Sequence, residues 1–285
     1  MRVAVTGATG LIGSELIKEL RNRIEVRGLT RGEDTDILYH TDYSMESLAS
    51  IFESVDVVVH LAAIRGQGTD YRHFIENAIL TENVLKASIR ANVDKVIYMS
   101  SIAVYSDVNR VPWVEDQLVN PQTFYGLSKI TGEYLCELYS RKGMDYTIFR
   151  CGIVLGITNN NRMTDIFIQR AAEQKTITVK GKSRAKRDFI YLKDVVRALV
   201  WEIFFDHNKN QVYNLGSNSA YTNLEVAKEI NHVFENDGNL VYLDNCSEGL
   251  VDSRMDSSKL KRAGFKLKYD LSSALADIRR ERENK

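Results

Sequence analysis

Eight residues near the start of the chain, Thr6-Gly7-Ala8-Thr9-Gly10-Leu11-Ile12-Gly13, leave few folds open to the remainder of it. They stand between an apolar run, Val3 to Val5, and a segment with apolar residues at three and four spacing, Leu11 to Leu20. Gly7 permits a tight turn out of the strand, Gly10 lets the backbone approach a pyrophosphate, and Gly13 lets the helix pack closely on the strand. The helix then opens with backbone amides facing the anion, at the end where its dipole favours negative charge. The spacing differs from GxGxxG, and three glycines by themselves make only a structural turn. Placement from strand to helix is what points to dinucleotide binding, with Thr9, Leu11 and Ile12 in the same motif.

The rest of the first half repeats the unit. Val26–Leu29, Val55–Val59, Val96–Met99 and Tyr146–Phe149 read as buried strands, and Met45–Phe52, Phe74–Ile89 and Tyr125–Tyr139 carry helical periodicity. Alternation of this kind predicts an α/β fold: a Rossmann doubly wound parallel sheet with a smaller C-terminal α/β substrate lobe. Residues 1–150 are the expected dinucleotide-binding domain, with 190–215 returning to it, and 151–189 with 216–285 the expected substrate-binding lobe. After Arg150 the order loosens into a polar stretch at Thr158–Asn161, a helix near Asp165–Glu173, a short strand at Ile177–Val179, and helices at Val195–Phe205 and Leu224–Phe234. The lobes are expected to share a cleft at the carboxyl ends of the strands.

Charge narrows the partners. The 38 basic and 38 acidic side chains cancel, so composition gives no argument for nucleic acid or an anionic membrane. The nearest basic tract, Lys180 to Arg187, is by itself a solvated loop. No apolar stretch approaches the roughly 18 residues that span a bilayer, so no membrane partner is expected. Three cysteines, Cys136, Cys151 and Cys246, have neither disulfide-framework nor zinc spacing. The expectation is a cytoplasmic protein without a metal.

The end of the second strand selects the dinucleotide. An acid there hydrogen-bonds a ribose 2′-hydroxyl, whereas an arginine accommodates a 2′-phosphate. The residues are Leu29-Thr30-Arg31, so Arg31 favours NADP, with NAD as the alternative.

Catalysis has its own candidate in Tyr125-Gly-Leu-Ser-Lys129. Residues four apart share a helix face, so the Lys129 ammonium can lie near the Tyr125 phenol and lower its pKa. Moving a tyrosine from about 10 to about 7 takes about 4 kcal/mol, which needs a cationic nicotinamide as well. Such a pair arises by chance roughly once in a chain of this composition, so context decides. The context is a strand that ends in Ser100-Ser101, with Tyr125 beyond it on the next helix.

With these motifs in place, the chain resembles the extended short-chain dehydrogenases/reductases of the NAD-dependent epimerase/dehydratase family, along almost its whole length. The motifs are TGATGLIG, Asp42-Tyr43 after the third strand, His60-Leu61-Ala62-Ala63 at the fourth, Asn77 in the following helix, and Ser101, Tyr125 and Lys129. The resemblance implies that Asp42 contacts the adenine, that Leu61, Ala62 and Ala63 line the cofactor, and that Tyr43 and Asn77 belong to the same site. It also implies that Arg187, in Arg187-Asp188-Phe189-Ile190-Tyr191, and Arg254 face a nucleotide diphosphate. A salt bridge to Asp188 or Asp252 is the rival reading of each. Arg65 is placed by position in the substrate cleft, with loop solvation as its rival. Arg150 to Gly156 depart from the family's RPxxVYGP pattern, lacking its proline and tyrosine.

In such proteins hydride is exchanged at a sugar carbinol carbon, Tyr125 being the general acid/base, Ser101 the group that orients the substrate oxygen, and Lys129 the ribose-binding residue. Ile102 and Ala103 stand where the dehydratases carry carboxyl groups, which argues against dehydration. The first expectation is an NADPH-dependent 4-ketoreductase of a nucleotide-linked 4-keto-6-deoxysugar. The alternative is a 4-epimerase of a UDP-hexose or UDP-N-acetylhexosamine with bound NAD. A non-catalytic NADP-sensing regulator comes third. Relatives often dimerise through the paired helices of the first domain, so a homodimer through Phe74–Arg90 and Phe124–Tyr139 is a further expectation.

Overall fold

Unbroken runs of β-branched residues such as Val57-Val58-Val59 suit a sheet covered on both faces, where no polar alternation is wanted. In the computed structural model, which describes residues 1–65, 70–157, 162–205, 209–245 and 252–284, that run is a strand with every side chain buried. The stretch Thr158–Asn161 and Cys246 lie outside the described residues. The first elements are β1 (Arg2–Thr6), α1 (Leu11–Leu20), β2 (Glu25–Thr30), β3 (Leu38–His40), α2 (Met45–Ile51), β4 (Val57–His60), α3 (Tyr71–Arg90), β5 (Lys95–Ser101), α4 (Phe124–Ser140) and β6 (Asp145–Cys151). Then come β7 (Ile153–Leu155), α5 (Met163–Ala172), β8 (Ile177–Lys180), β9 (Arg187–Tyr191), α6 (Leu192–Phe204), β10 (Gln211–Leu215), β11 (Ala220–Tyr221), α7 (Asn223–Val233), β12 (Leu240–Leu243), α8 (Ser258–Arg262) and α9 (Leu271–Glu283).

The chain divides into two compact units. The first comprises Met1–Ser106, Glu115–Cys151 and Val195–Asn214. Its sheet runs β10-β6-β5-β4-β1-β2-β3, and the pairings from β6 to β3 are all parallel. Strand order reverses between β1 and β4, so the loops after these strands diverge and open a crevice at their carboxyl ends. The Gly7–Gly10 turn comes after β1, and Leu61–Ala63 after β4.

Two glycines bring α4 close to β5 and the turn after it. A methyl group on Gly126 would overlap the Ala103 carbonyl, and one on Gly132 the Tyr98 hydroxyl. The buried face of α4 carries Gly126, Lys129, Ile130, Glu133 and Cys136, at three and four spacing. A catalytic candidate therefore sits on the inward face of a helix seated against the sheet. Helix α3 starts at Tyr71, a turn earlier than the apolar pattern predicts, because the Asp70 carboxylate caps it by accepting the Arg72 N–H.

The second unit comprises Asp107–Val114, Gly152–Asp194 and Leu215–Lys285. It holds a three-stranded sheet, β11-β9-β7, and the pair β12-β8. Its core gathers Phe167, Ile177, Phe189, Val226, Ile230 and Leu275. Segment 107–114, expected with the first domain, packs here because Trp113 is buried in this unit. Its N–H donates to the Arg254 carbonyl at 2.8 Å, and its indole to Asp107 O at 2.7 Å. Helix α9 is absent from the sequence reading: its charged run hides an apolar face of Leu271, Ala274, Leu275 and Ile278. Asp277 on that face is buried but receives the Tyr191 hydroxyl at 2.8 Å and Lys193 Nζ at 2.5 Å.

Candidate active site

The cradle after β1 needs its glycines. Gly7 has a φ of +70°, and a side chain there would collide with the Ala62 amide; a methyl group on Gly13 would collide with the Gly7 carbonyl. Gly10 stands at the N-cap of α1, where the missing side chain leaves the first-turn amides of Leu11, Ile12 and Gly13 without a side-chain cap. A cavity of about 440 Å³ is lined by Gly7, Thr9, Gly10, Arg31, Tyr43, Leu61, Ala62 and Ala63, all of them expected from the sequence. Thr30, Ile64 and Leu80 also line it and are missing from that reading. Uncapped amides and a wall stripped of Cβ atoms fit a pyrophosphate and its dinucleotide.

A buried chain of hydrogen bonds holds the opposite wall. Thr6 Oγ1 accepts the Leu61 and Ala62 amides, both at 3.1 Å, so its own proton goes to His60 Nδ1 at 2.7 Å. That leaves the His60 proton on Nε2, directed at Thr81 Oγ1 at 3.2 Å. Burial and the Lys129 charge push the His60 pKa down to about 3, so the ring stays neutral. Asn77 grips both backbone groups of Ile64, accepting its N–H at 2.7 Å and donating to its carbonyl at 2.9 Å. Asn77 thus shapes the segment after β4 and does not line the cavity.

At the end of β2 the exposed Arg31 guanidinium lies 5.5 Å from the Tyr43 ring centroid. The Tyr43 hydroxyl accepts the Gly7 N–H at 3.3 Å, which ties the base of the glycine turn to this ring. Asp42 is exposed, accepts the Ser44 N–H at 2.8 Å, and is not part of the cavity wall.

Ser101, Tyr125 and Lys129 come together at the carboxyl end of β5 and the start of α4. Lys129 is 4% exposed, donates to the Met99 carbonyl at 2.8 Å, and lies 5.8 Å from the Tyr125 ring centroid. Burial lowers its pKa to about 8, and Glu133 one turn on opposes the fall. Glu133 itself is buried, receives the Ser100 hydroxyl at 2.5 Å, and is paired with Arg150 at 2.7 Å. Arg150 also donates to the Tyr105 hydroxyl at 2.7 Å and to Glu115 O at 2.9 Å. This network of residues far apart in sequence has no counterpart in the sequence reading.

Tyr125 departs from the expectation that Lys129 lowers its pKa. Burial raises the phenol above its ordinary value, and the charge that opposes this most is Arg65, with the Ser101 hydrogen bond a smaller help. The Arg65 guanidinium carbon lies 5.9 Å from the Tyr125 ring centroid. Ile102 and Ala103 come after Ser101 in a short 3-10 turn, in which the Ser101 hydroxyl accepts the Ala103 N–H at 3.2 Å.

In the second unit, Arg187 opens β9 and is partly buried, with no side-chain partner among the described residues. Burial alone lowers its pKa. Arg254 is paired with Asp252 at 3.3 Å, while its buried Nε has no partner among the described residues. Asp188 pairs with neither arginine; it receives the Ser217 amide at 2.8 Å and hydroxyl at 3.0 Å. Among the described residues no three metal-ligating side chains cluster, and no helix is long and apolar enough to cross a membrane.

A model described as the NAD dependent epimerase/dehydratase family matches residues 3–216. The crystal structure of UDP-N-acetylglucosamine 4-epimerase from Bacillus cereus is 33% identical, with a TM-score of 0.92 over 99% of this chain and 96% of that one. The structure of MoeE5 in complex with UDP-glucuronic acid and NAD is 27% identical, with a TM-score of 0.86 over the whole of both chains. The putative UDP-glucose 4-epimerase of Methanocaldococcus jannaschii is 28% identical over 97% of this chain and 96% of its own. A match across most of the chain and a relative at 33% identity along nearly all of it show that this protein belongs to the NAD dependent epimerase/dehydratase family and is an enzyme.

Proposed function

We propose that the protein is a 4-epimerase of a UDP-hexose or UDP-N-acetylhexosamine that retains NAD through turnover. The observation that carries this reading is the gathering of Ser101, Tyr125 and Lys129 in the unit that holds the glycine cradle, with apolar Ile102 and Ala103 where a dehydratase would need carboxyl groups. Relatives named as 4-epimerases at 28 and 33% identity support it over the reductase expected first.

The cradle amides of α1 would take the pyrophosphate, and the wall pinned by Thr6 and His60 would hold the rest of the dinucleotide. NAD, when bound, supplies a hydride acceptor and donor for the sugar carbon. Tyr125 moves the proton of the sugar hydroxyl, Ser101 hydrogen-bonds that oxygen, and Lys129, anchored on Met99 O, keeps a positive charge on the floor of the site. Positioned proton transfer contributes roughly 10² to 10⁴ in rate. Arg187, with no counter-ion of its own among the described residues, is suited to the nucleotide diphosphate; Arg254 offers only its unpartnered Nε, its charge being shared with Asp252. Tyr71 and Ile79 on α3 and Tyr134 and Leu138 on α4 are each more than half exposed. That favours a homodimer through these helices. The reducing cytosol is the proposed location.

Arg31 favours a second reading. It lines the cradle with no carboxylate partner among the described residues, which suits a 2′-phosphate and hence an NADPH-dependent 4-ketoreductase. The test is to denature the purified protein, identify the dinucleotide released, and incubate the native protein with UDP-N-acetylglucosamine or UDP-glucose without added cofactor. Near-stoichiometric NAD, and the C4 epimer in the anomeric proton spectrum, are expected. An empty site that fills with NADPH and consumes it on a 4-keto-6-deoxysugar nucleotide would overturn the epimerase in favour of the reductase.

A further inference from the structure

Tyr125 is bordered by groups from four directions. Ser101 and Tyr98 reach it from β5, Cys151 from β6, Lys129 from its own helix, and Arg65 from the segment after β4. Two of these are cations at almost equal range of the ring centroid, 5.8 Å for Lys129 Nζ and 5.9 Å for the Arg65 guanidinium carbon. They differ in what else they do. Lys129 is buried, donates to the Met99 carbonyl at 2.8 Å, and lies nearer the Tyr98 ring, at 4.9 Å, than the Tyr125 ring. It also stands one turn from Glu133, a carboxylate that Arg150 already neutralises at 2.7 Å. Arg65 has no carboxylate partner and no side-chain hydrogen bond among the described residues. A guanidinium stays charged at every pH at which the protein is folded, so its field on the phenol is constant.

We infer that Arg65 is a positioning residue that stabilises the Tyr125 phenolate from the open side of the ring, a task that Lys129, turned toward Met99, performs only in part. The inference rests on the reading of Tyr125 as the acid/base group, but it concerns the proton of that phenol and can be tested without turnover. It also accounts for a balance of forces at the ring: burial disfavours the phenolate, and Arg65 is the largest opposing influence. Because Arg65 is exposed, water and salt screen it.

The experiment is a titration of ring-labelled ¹³C-tyrosine in the NAD-loaded protein, the Tyr125 resonance being assigned by its loss in Tyr125→Phe. Arg65→Gln is expected to raise the Tyr125 midpoint by roughly half to one pH unit, Arg65→Lys to restore most of it, and high salt to shrink the difference. The acid limb of the kcat profile should move by the same amount in the same direction. A midpoint identical in wild type and Arg65→Gln, or a phenol protonated in both across the whole stable range, would overturn the inference. A rise in KM alone, with the midpoint unmoved, would make Arg65 a substrate contact and nothing more. A moved midpoint in a protein that turns over no nucleotide sugar would sustain the inference and remove the proposed function instead.

Discussion

Lys129 holds its charge where water cannot reach it, and the fold bears the cost. The group loses its proton near pH 8 in the folded chain and near 10.5 unfolded. Between those values the unfolded chain binds more protons, so this residue makes stability rise with pH, and at neutral pH its full penalty of about 3 kcal/mol is present. Lys129→Met should therefore raise the urea midpoint of the dinucleotide-free protein at pH 7, flatten the slope above pH 8, and weaken dinucleotide retention. An unchanged or lower midpoint would mean that the bond to Met99 O outweighs the buried charge. His60 works in the other pH range. Its folded pKa of about 3 lies below the ordinary 6.5, so the unfolded chain takes up the extra proton and stability falls as pH drops from about 6.5 toward 3. Substituting His60→Gln should lower stability at pH 7 but remove much of that acid slope in a urea series from pH 7 to 4. The two motifs that carry these residues are plain in the sequence; their pKa values are not, because burial depends on what packs above them.

Among the elements, α1 opens from the glycine cradle and α4 carries the candidate pair Tyr125 and Lys129, and glycines set how closely each approaches the sheet. A Gly13→Ala methyl group would press on the Gly7 carbonyl, which can move only by opening the turn. A loss of about 1 to 3 kcal/mol is expected from such overpacking. The dinucleotide content of the purified protein should fall at least about tenfold, read by mass spectrometry of the denatured sample; retention at the wild-type level would show that the turn tolerates a side chain. These helices were legible because their periodicity and glycine spacing are local. Helix α9 was not, since its apolar face is four residues in a run of charges. Nor was the clamp of Glu133, Arg150 and Tyr105, whose members come from α4, β6 and the loop after β5 and meet only in the folded chain.

At the scale of the whole molecule, the doubly wound first unit was legible in β-branched runs alternating with helical periods, each long enough to read. The second unit was less legible because its strands are two to five residues long and take their register from partners distant in sequence, as β9 does from β7 and β11. Trp113 shows the same effect, drawing 107–114 out of one unit and into the other. Exposed Tyr134 and Leu138 on α4, with Ile79 on α3, argue for a second copy covering these helices. Sedimentation equilibrium should give a dimer for the native protein and a monomer for Tyr134→Glu with Leu138→Lys; a native monomer at all concentrations would contradict it. The most direct test of the enzyme itself pairs two numbers from one preparation, the dinucleotide content and the rate of UDP-sugar epimerisation in Tyr125→Phe. Undiminished dinucleotide with a rate about 10² to 10⁴ lower is the predicted result, and turnover at the wild-type rate would contradict the account.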